Sequence, residues 1–323
     1  MAEAAPPSDD KNEASSCLTS LFYILLSGTL ASPTQRLQVL ESLLRSIAPA
    51  RQALGLRALD AFLESWNFSS SYSFEFGAHS RDHGYSPRTG KEVQAWFSSG
   101  LKLVEKLDAE GLFFEGDLRN ALAKNFRGLW SRGGVCADLD RTFRAIAKRG
   151  FWREGWAATR QTLKFDGPAF PAKVRANLTA LEKALRPAKL VENVRGIALT
   201  GSFGSLDLDD LDLDDNNDGM ASYARQEAIA ASLGKDLAQS PKEFAELLPE
   251  LVSAEGRIWS LGKGLANGAL DAMEVWSKLT VAYEAVAAPK RRMQVLGGFI
   301  NALNERDVPR SVSCSMQRLR TLR

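Results

Sequence analysis

The feature that most constrains this chain is an apolar period of helical type that recurs along most of its length, with little β-alternation anywhere. Leu37, Leu40, Leu43, Leu44 and Ile47 stand three and four apart, which puts them on one helix face. Pro33 lies near the start of that helix, where a missing amide is tolerated. Pro49 ends it and permits the next, over 51–66. Leu118, Leu122, Phe126 and Leu129 form a second stripe, and Gly133–Gly134 a turn. The same reading predicts helices over 90–110, 115–130, 136–148 and 151–163. Another carries Leu178, Leu181 and Leu185 and stops at Pro187. Later ones cover 190–198, 220–233, 241–253, 258–268, 270–286 and 291–304. The apolar run 18–30 is interrupted by Thr19, Ser20, Ser27 and Gly28. It falls short of the roughly 20 apolar residues that span a bilayer and reads as a packed first helix.

So many short helices joined by turns predict an all-α fold. Stacked antiparallel helix pairs are the expected form, as an α-solenoid of HEAT-like kind or as an irregular helical array. The pairs recur roughly every 35–45 residues without an exact repeat, a match to the helical-repeat classes in length only. Polar residues 1–16 read as a disordered leader. Residues 17–200 read as one helical array, 201–219 as an acidic loop and 220–323 as a second array. Hydrophobic residues make up 45% of the chain and charged ones 25%, a balance that supports a core and excludes disorder of the whole. A net charge of +2 lacks the basic excess of a nucleic-acid binder. Cys17, Cys136 and Cys314 are far apart and form no CxxC pair, which fits a reducing cytosol better than a disulfide framework.

Several segments invite a chemical reading. His79 and His83, the only histidines, stand four apart beside Asp82. On a helix that spacing serves zinc, but Gly77, Gly84 and Pro87 make the segment a loop. Phe74, Phe76 and Tyr85 are expected to anchor this loop on the helices. Arg81 and Asp82 are expected to pair or to bond exposed backbone groups. Together Phe74, Phe76, His79, Arg81, Asp82, His83 and Tyr85 form the candidate interaction or structural loop. The acidic segment carries seven aspartates between Asp207 and Asp218. Asp214, Asn216, Asp218 and Gly219 match the first half of an EF-hand loop, but its twelfth position is Arg225, where calcium needs a bidentate Glu. A solvated acidic linker is the plainer reading. Gly256, Gly262, Lys263 and Gly264 imitate a phosphate loop, yet five residues separate the first two glycines, no strand precedes them, and Gly264 replaces the magnesium-binding hydroxyl. Close helix packing at small residues is expected there instead. Of the seven tryptophans, most stand at helical spacing and are expected in the core, with Trp152 and Trp156 on one helix face.

Four phrases carry a resemblance: FGAHSRDHGY at 76–85, FRGLW at 126–130, GFWREGW at 150–156 and GGF at 297–299. Together the set resembles the helical-repeat region of large bacterial signal-transducing NTPases of the phage-defence type, over about residues 35–305. The resemblance implies a sensor or scaffold arm whose chemistry sits in a separate NTPase core. That core's phosphate-binding lysine and magnesium ligands have no counterparts here.

The expected function is therefore a non-catalytic helical scaffold or sensor that binds a protein partner, with no cofactor, no membrane span and no specific nucleic-acid target. The alternative is a helical enzyme or metal-responsive module using the loop at 77–85 or the acidic loop at 207–219. The apolar residues Val295, Leu296, Phe299, Ile300 and Leu303, followed by a basic tail, suggest self-association through a thinly covered C-terminal edge.

Overall fold

The computed structural model describes residues 14–65, 84–111, 115–199 and 219–305. Among them are fourteen α-helices and no β-strand: α1 (Ala14–Ser20), α2 (Pro33–Leu44), α3 (Pro49–Leu63), α4 (Gly90–Ala109), α5 (Glu115–Arg132), α6 (Cys136–Ala147), α7 (Arg153–Phe165), α8 (Ala172–Leu185), α9 (Leu190–Asn193), α10 (Gly219–Ala238), α11 (Pro241–Leu251), α12 (Ile258–Gly268), α13 (Ala272–Ala285) and α14 (Gln294–Glu305). The protein is all-α, and no described helix is long and apolar enough to cross a membrane.

Helix starts follow local chemistry. Ser32 caps α2: its hydroxyl accepts from the Gln35 amide, and the Gln35 side chain accepts from the Ser32 amide, with Pro33 in the first turn. Thr89 caps α4 by accepting from the Glu92 amide, and Asp271 caps α13 by accepting from the Met273 and Glu274 amides. Pro49 opens α3.

Four expectations are corrected. The predicted first helix ends at Ser20, and 21–32 run as turns and irregular chain in which Leu26 (φ 53°) and Gly28 (φ 69°) adopt left-handed conformations. Its backbone carbonyls find a partner outside the segment, in Arg36. Residues 14–16, assigned to the leader, belong to α1. The α2 stripe stops at Leu44, leaving Ile47 95% exposed, because the chain turns through Arg45 and Ser46 before Pro49. Trp152 and Trp156 do not share a helix face either. Trp152 precedes α7 in extended conformation and packs on Phe143, whereas Trp156 lies in α7 against Phe151.

The chain divides into two compact units after Arg186. The division falls earlier than the acidic loop because Val191, Val194 and Ala198, in α9 and the π-helical turn after it, are buried in the second core. The Arg257 amide also donates to the Ala198 carbonyl at 3.0 Å.

In the first unit the helices form two interleaved rows. One row runs α1, α3, α5, α7 and the other α2, α4, α6, α8, each helix packing on the next of its row. The rows meet through contacts between successive helices such as α2 with α3 and α4 with α5. Leu40, Leu44, Leu59, Phe62, Phe97, Leu122, Phe126, Leu139, Phe143 and Leu178 fill the space between them. A chain of four aromatic rings links α5, α6 and the start of α7: Trp130 on Phe126, Phe126 on Phe143 and Phe143 on Trp152, with centroids 4.6–5.4 Å apart.

In the second unit α10, α12 and α14 form one row, and α11 and α13 pack beside it. Glycines bring this row unusually close. A Cβ added at Gly264 would fall on the Ala231 backbone, at Gly268 on that of Lys235, and at Gly234 on that of Leu261. On the other side of α12, a Cβ at Gly262 would meet the Val295 carbonyl, and one at Gly298 of α14 the Trp259 carbonyl. Ala231 opposite Gly264 and Lys235 opposite Gly268 give equal offsets, so α10 and α12 run in the same direction. Backbones this close touch through Cα–H and carbonyl groups rather than through side chains. Gly262 and Gly264, from the segment that imitates a phosphate loop, thus serve helix packing. Val295, Leu296, Phe299 and Leu303 are buried in this same core, so the apolar edge expected at α14 is already covered.

Charged groups between elements are mostly paired in the first unit. Asp166, at the end of α7, accepts from Arg127 Nε at 2.9 Å and Nη2 at 2.6 Å, and from Ser131 Oγ at 3.1 Å. The guanidinium holds the Asp166 carboxyl below the usual carboxylate range, with the Ser131 bond adding to the effect. A depressed folded pKa means that this contribution is present above the unfolded pKa of about 3.9 and is lost as pH falls through the lower folded value. Asp166→Asn should therefore be less stable than the parent at neutral pH, and the gap should close on the acid side of about pH 4. Thermal midpoints of the two proteins across that range check this. A gap of constant size through the acid limb would contradict it.

Candidate functional site

Of the seven candidate residues of the aromatic loop, Tyr85 is described; Phe74, Phe76, His79, Arg81, Asp82 and His83 lie outside the described residues. So do the acidic segment as far as Asp218, and the tail 306–323.

Tyr85 enters a built cluster. Its amide donates to the Thr29 carbonyl at 2.8 Å, and its ring lies 6.3 Å from that of Trp96, nearly parallel at 15°. Gly84 before it has φ 76°, and any Cβ there would fall on the Thr29 backbone. The Arg36 guanidinium lies over both rings, 5.7 Å from Tyr85 and 5.2 Å from Trp96. Arg36 is 3% exposed. It donates to three carbonyls: Ala31 at 3.0 Å, Tyr23 at 2.8 Å and Thr29 at 3.1 Å. Burial lowers its pKa to about 10, still far enough above neutrality to keep the charge. The carbonyls and ring faces stand where a carboxylate would otherwise be required. This arrangement fixes the chain: three of the five guanidinium N–H groups go to the protein's own carbonyls, and the side chain is almost wholly buried. It is a structural node.

Two other buried charges are likewise internal. The Asp108 carboxylate meets Arg119 at 2.6 Å and Arg149 at 3.2 Å. Glu182 of α8 accepts from the Trp156 indole at 2.8 Å and from Arg186 at 2.9 Å, with Arg160 at 3.5 Å. Sequence reasoning missed all three. A signal existed for two of them: Arg36 precedes Leu40 and Leu43 by four and seven, and Glu182 follows Leu178 by four and precedes Leu185 by three. Both therefore fall on apolar faces. The Cys136 thiol donates to the Trp130 carbonyl at 3.1 Å, and burial pushes its pKa up, which removes thiolate reactivity. Among the described residues no group of three or more His, Cys, Asp or Glu is placed to hold a metal ion.

The concave surfaces are open. A hollow of about 540 Å³ lies along the outer face of α8, where Phe170, Ala172, Ala176 and Ala180 form an apolar lining beside Arg175 and Lys183. A second, of about 420 Å³, is bounded by α4 and α6 at Lys102, Glu105, Lys106 and Arg141. Its charges are largely answered locally: Lys106 by Glu41 at 2.7 Å and Arg141 by Asp138 at 2.7 Å. Such surfaces suit a macromolecular face better than a small substrate, which usually occupies a cleft that encloses most of it.

No known family, curated protein or solved structure matches this chain. The functional reading therefore rests on the geometry above. Within that geometry the α8 hollow combines accessible apolar area with charges that no described neighbour neutralises.

Proposed function

We propose that the chain is a non-catalytic helical scaffold or sensor module that binds a protein partner over the outer faces of its stacked helices, in a cytoplasmic setting. The two-row packing of the first unit carries this reading. Helices two apart in sequence pack on each other, an order of stacking that would set their outer faces side by side. This is the geometry by which α-solenoids present extended binding faces. The open hollow on α8 supports the same reading, because it offers apolar area and charge without enclosing a small molecule. The resemblance to the helical arms of signal-transducing NTPases is consistent with it, with the nucleotide chemistry residing in a separate core.

The test is cross-linking of the intact chain in host lysate, followed by identification of the linked peptides. The expected result is a saturable protein partner linked through exposed helix faces. Capture of nothing above the background of an unrelated helical protein would overturn the proposal.

A further inference from the structure

We propose that the hollow on α8 is the docking site for an acidic amphipathic helix of a partner protein. This deepens the scaffold reading and rests on it. The inner face of α8 is occupied, since Leu178, Leu181 and Leu185 are buried and the helix packs on α6 and α7. Its outer face carries exposed Ala172, Ala176 and Ala180, spaced by four. Alanines let a second helix approach closely, and a pair of helices packs about 8–10 Å apart according to the side chains between them. Phe170, just before the helix, supplies a larger apolar contact beside its first turn.

Charge selects the occupant. Arg175 and Lys183 border the alanines, eight residues or about 12 Å apart along the axis. Neither side chain has an acidic partner among the described residues. Several other cations of this unit are answered by an acid: Arg45 meets Glu110 at 2.6 Å, Lys124 meets Asp60 at 2.5 Å and Arg144 meets Asp140 at 2.9 Å. The only acid within α8 is Glu182, which is buried and already bonded to Trp156 and Arg186. Among the described residues, nothing acidic thus compensates Arg175 and Lys183 on the exposed face of α8. A neutral or basic helix laid on it would bury those two charges unpaired, at a cost that carboxylates at matching spacing remove. Two cations beside an alanine floor are too few for a phosphate backbone, which leaves apolar area unused.

The experiment uses the full chain and a synthetic helical peptide of about 18 residues, long enough to hold some helix. It carries a Leu/Ala stripe flanked by Glu, and a counterpart has Lys for each Glu. Fluorescence anisotropy should show saturable binding of the acidic peptide, weakening as salt rises, and no binding of the basic one. Arg175→Glu combined with Lys183→Glu should weaken the acidic peptide at least about tenfold and admit the basic one. Ala176→Trp should block both by filling the hollow. All three positions are exposed, so thermal midpoints should stay unchanged. Lys102→Glu, in the other hollow, should leave binding as it was. No saturation by the acidic peptide, or equal binding by the charge-reversed chain, overturns the proposal. A dimer of the unmodified chain that Ala176→Trp dissociates also overturns it, because the occupant is then a second copy. A cross-linked lysate partner that persists in the charge-reversed chain would leave the scaffold reading standing while the α8 site falls.

Discussion

Trp96→Ala should destabilise the first unit by about 3–5 kcal/mol, the range for removing a large buried aromatic side chain. Trp96 is almost wholly buried and stacks on Phe62 with centroids 4.1 Å apart and planes 12° from parallel. Its indole N–H donates to the Phe62 carbonyl at 2.9 Å. Phe62 is in the last turn of α3, where the final carbonyls lack partners along their own helix. The indole therefore fills a cavity, caps a helix end and forms one of the two ring faces that hold Arg36. Alanine removes all three at once. Trp96→Phe keeps a ring and loses the donor, so it should cost less than alanine, on the order of 1–3 kcal/mol for the carbonyl left unsatisfied. Denaturant midpoints of the two variants and the parent decide the matter. A loss below about 1 kcal/mol for alanine would mean that α3 and α4 are not packed through this residue.

Gly264→Ala should destabilise the second unit by about 1–3 kcal/mol, even though alanine is the better helix former by about 1 kcal/mol. The sign is set by what the new Cβ meets. At Gly264 it meets the backbone of Ala231 in α10, which can yield only by moving one helix away from the other. Gly116 of α5 is the internal control, because a Cβ there has nothing within 4 Å. Gly116→Ala should be neutral or stabilising by less than about 1 kcal/mol. Calorimetric midpoints of the two variants should move in opposite directions or differ clearly in size. A Gly264→Ala protein as stable as the parent would show that α10 and α12 are not in backbone contact.

These two sites illustrate what could be read from the sequence and what could not. The helices were readable because apolar period, proline and cap act within a few residues of each other. Pro33 marks the start of α2, and the span of α12 agrees with that expected from Ile258 to Gly268. The failures occur where a distant group decides. Nothing in 18–30 reveals that Arg36 will claim its carbonyls, so the apolar run by itself predicts a continuous helix. Ile47 continued a pattern of threes and fours past the point where the backbone had already turned. The unit boundary at Arg186 depended on where Val191 and Val194 are buried, a tertiary fact. The candidate site was readable only in part. Tyr85 does pack on the helices, through the rings and cation described above, while its six companions lie outside the described residues. The α8 face went unnoticed because alanines and scattered cations resemble any solvated helix until their neighbours are known.

The Arg36 node also sets an order of events during folding. The chain from Tyr23 to Ala31 takes its shape from one side chain that follows it in sequence and sits in the first turns of α2. Successive helix residues point about 100° apart, so a slip of one residue in α2 would swing the guanidinium off all three carbonyls and both rings. The turn before α2 has its full set of contacts only when that helix is in register and α4 has brought up Trp96. Residues 21–32 are therefore late to lock, and in the native protein their amides should open together with the α2–α4 contact rather than with the neighbouring α1.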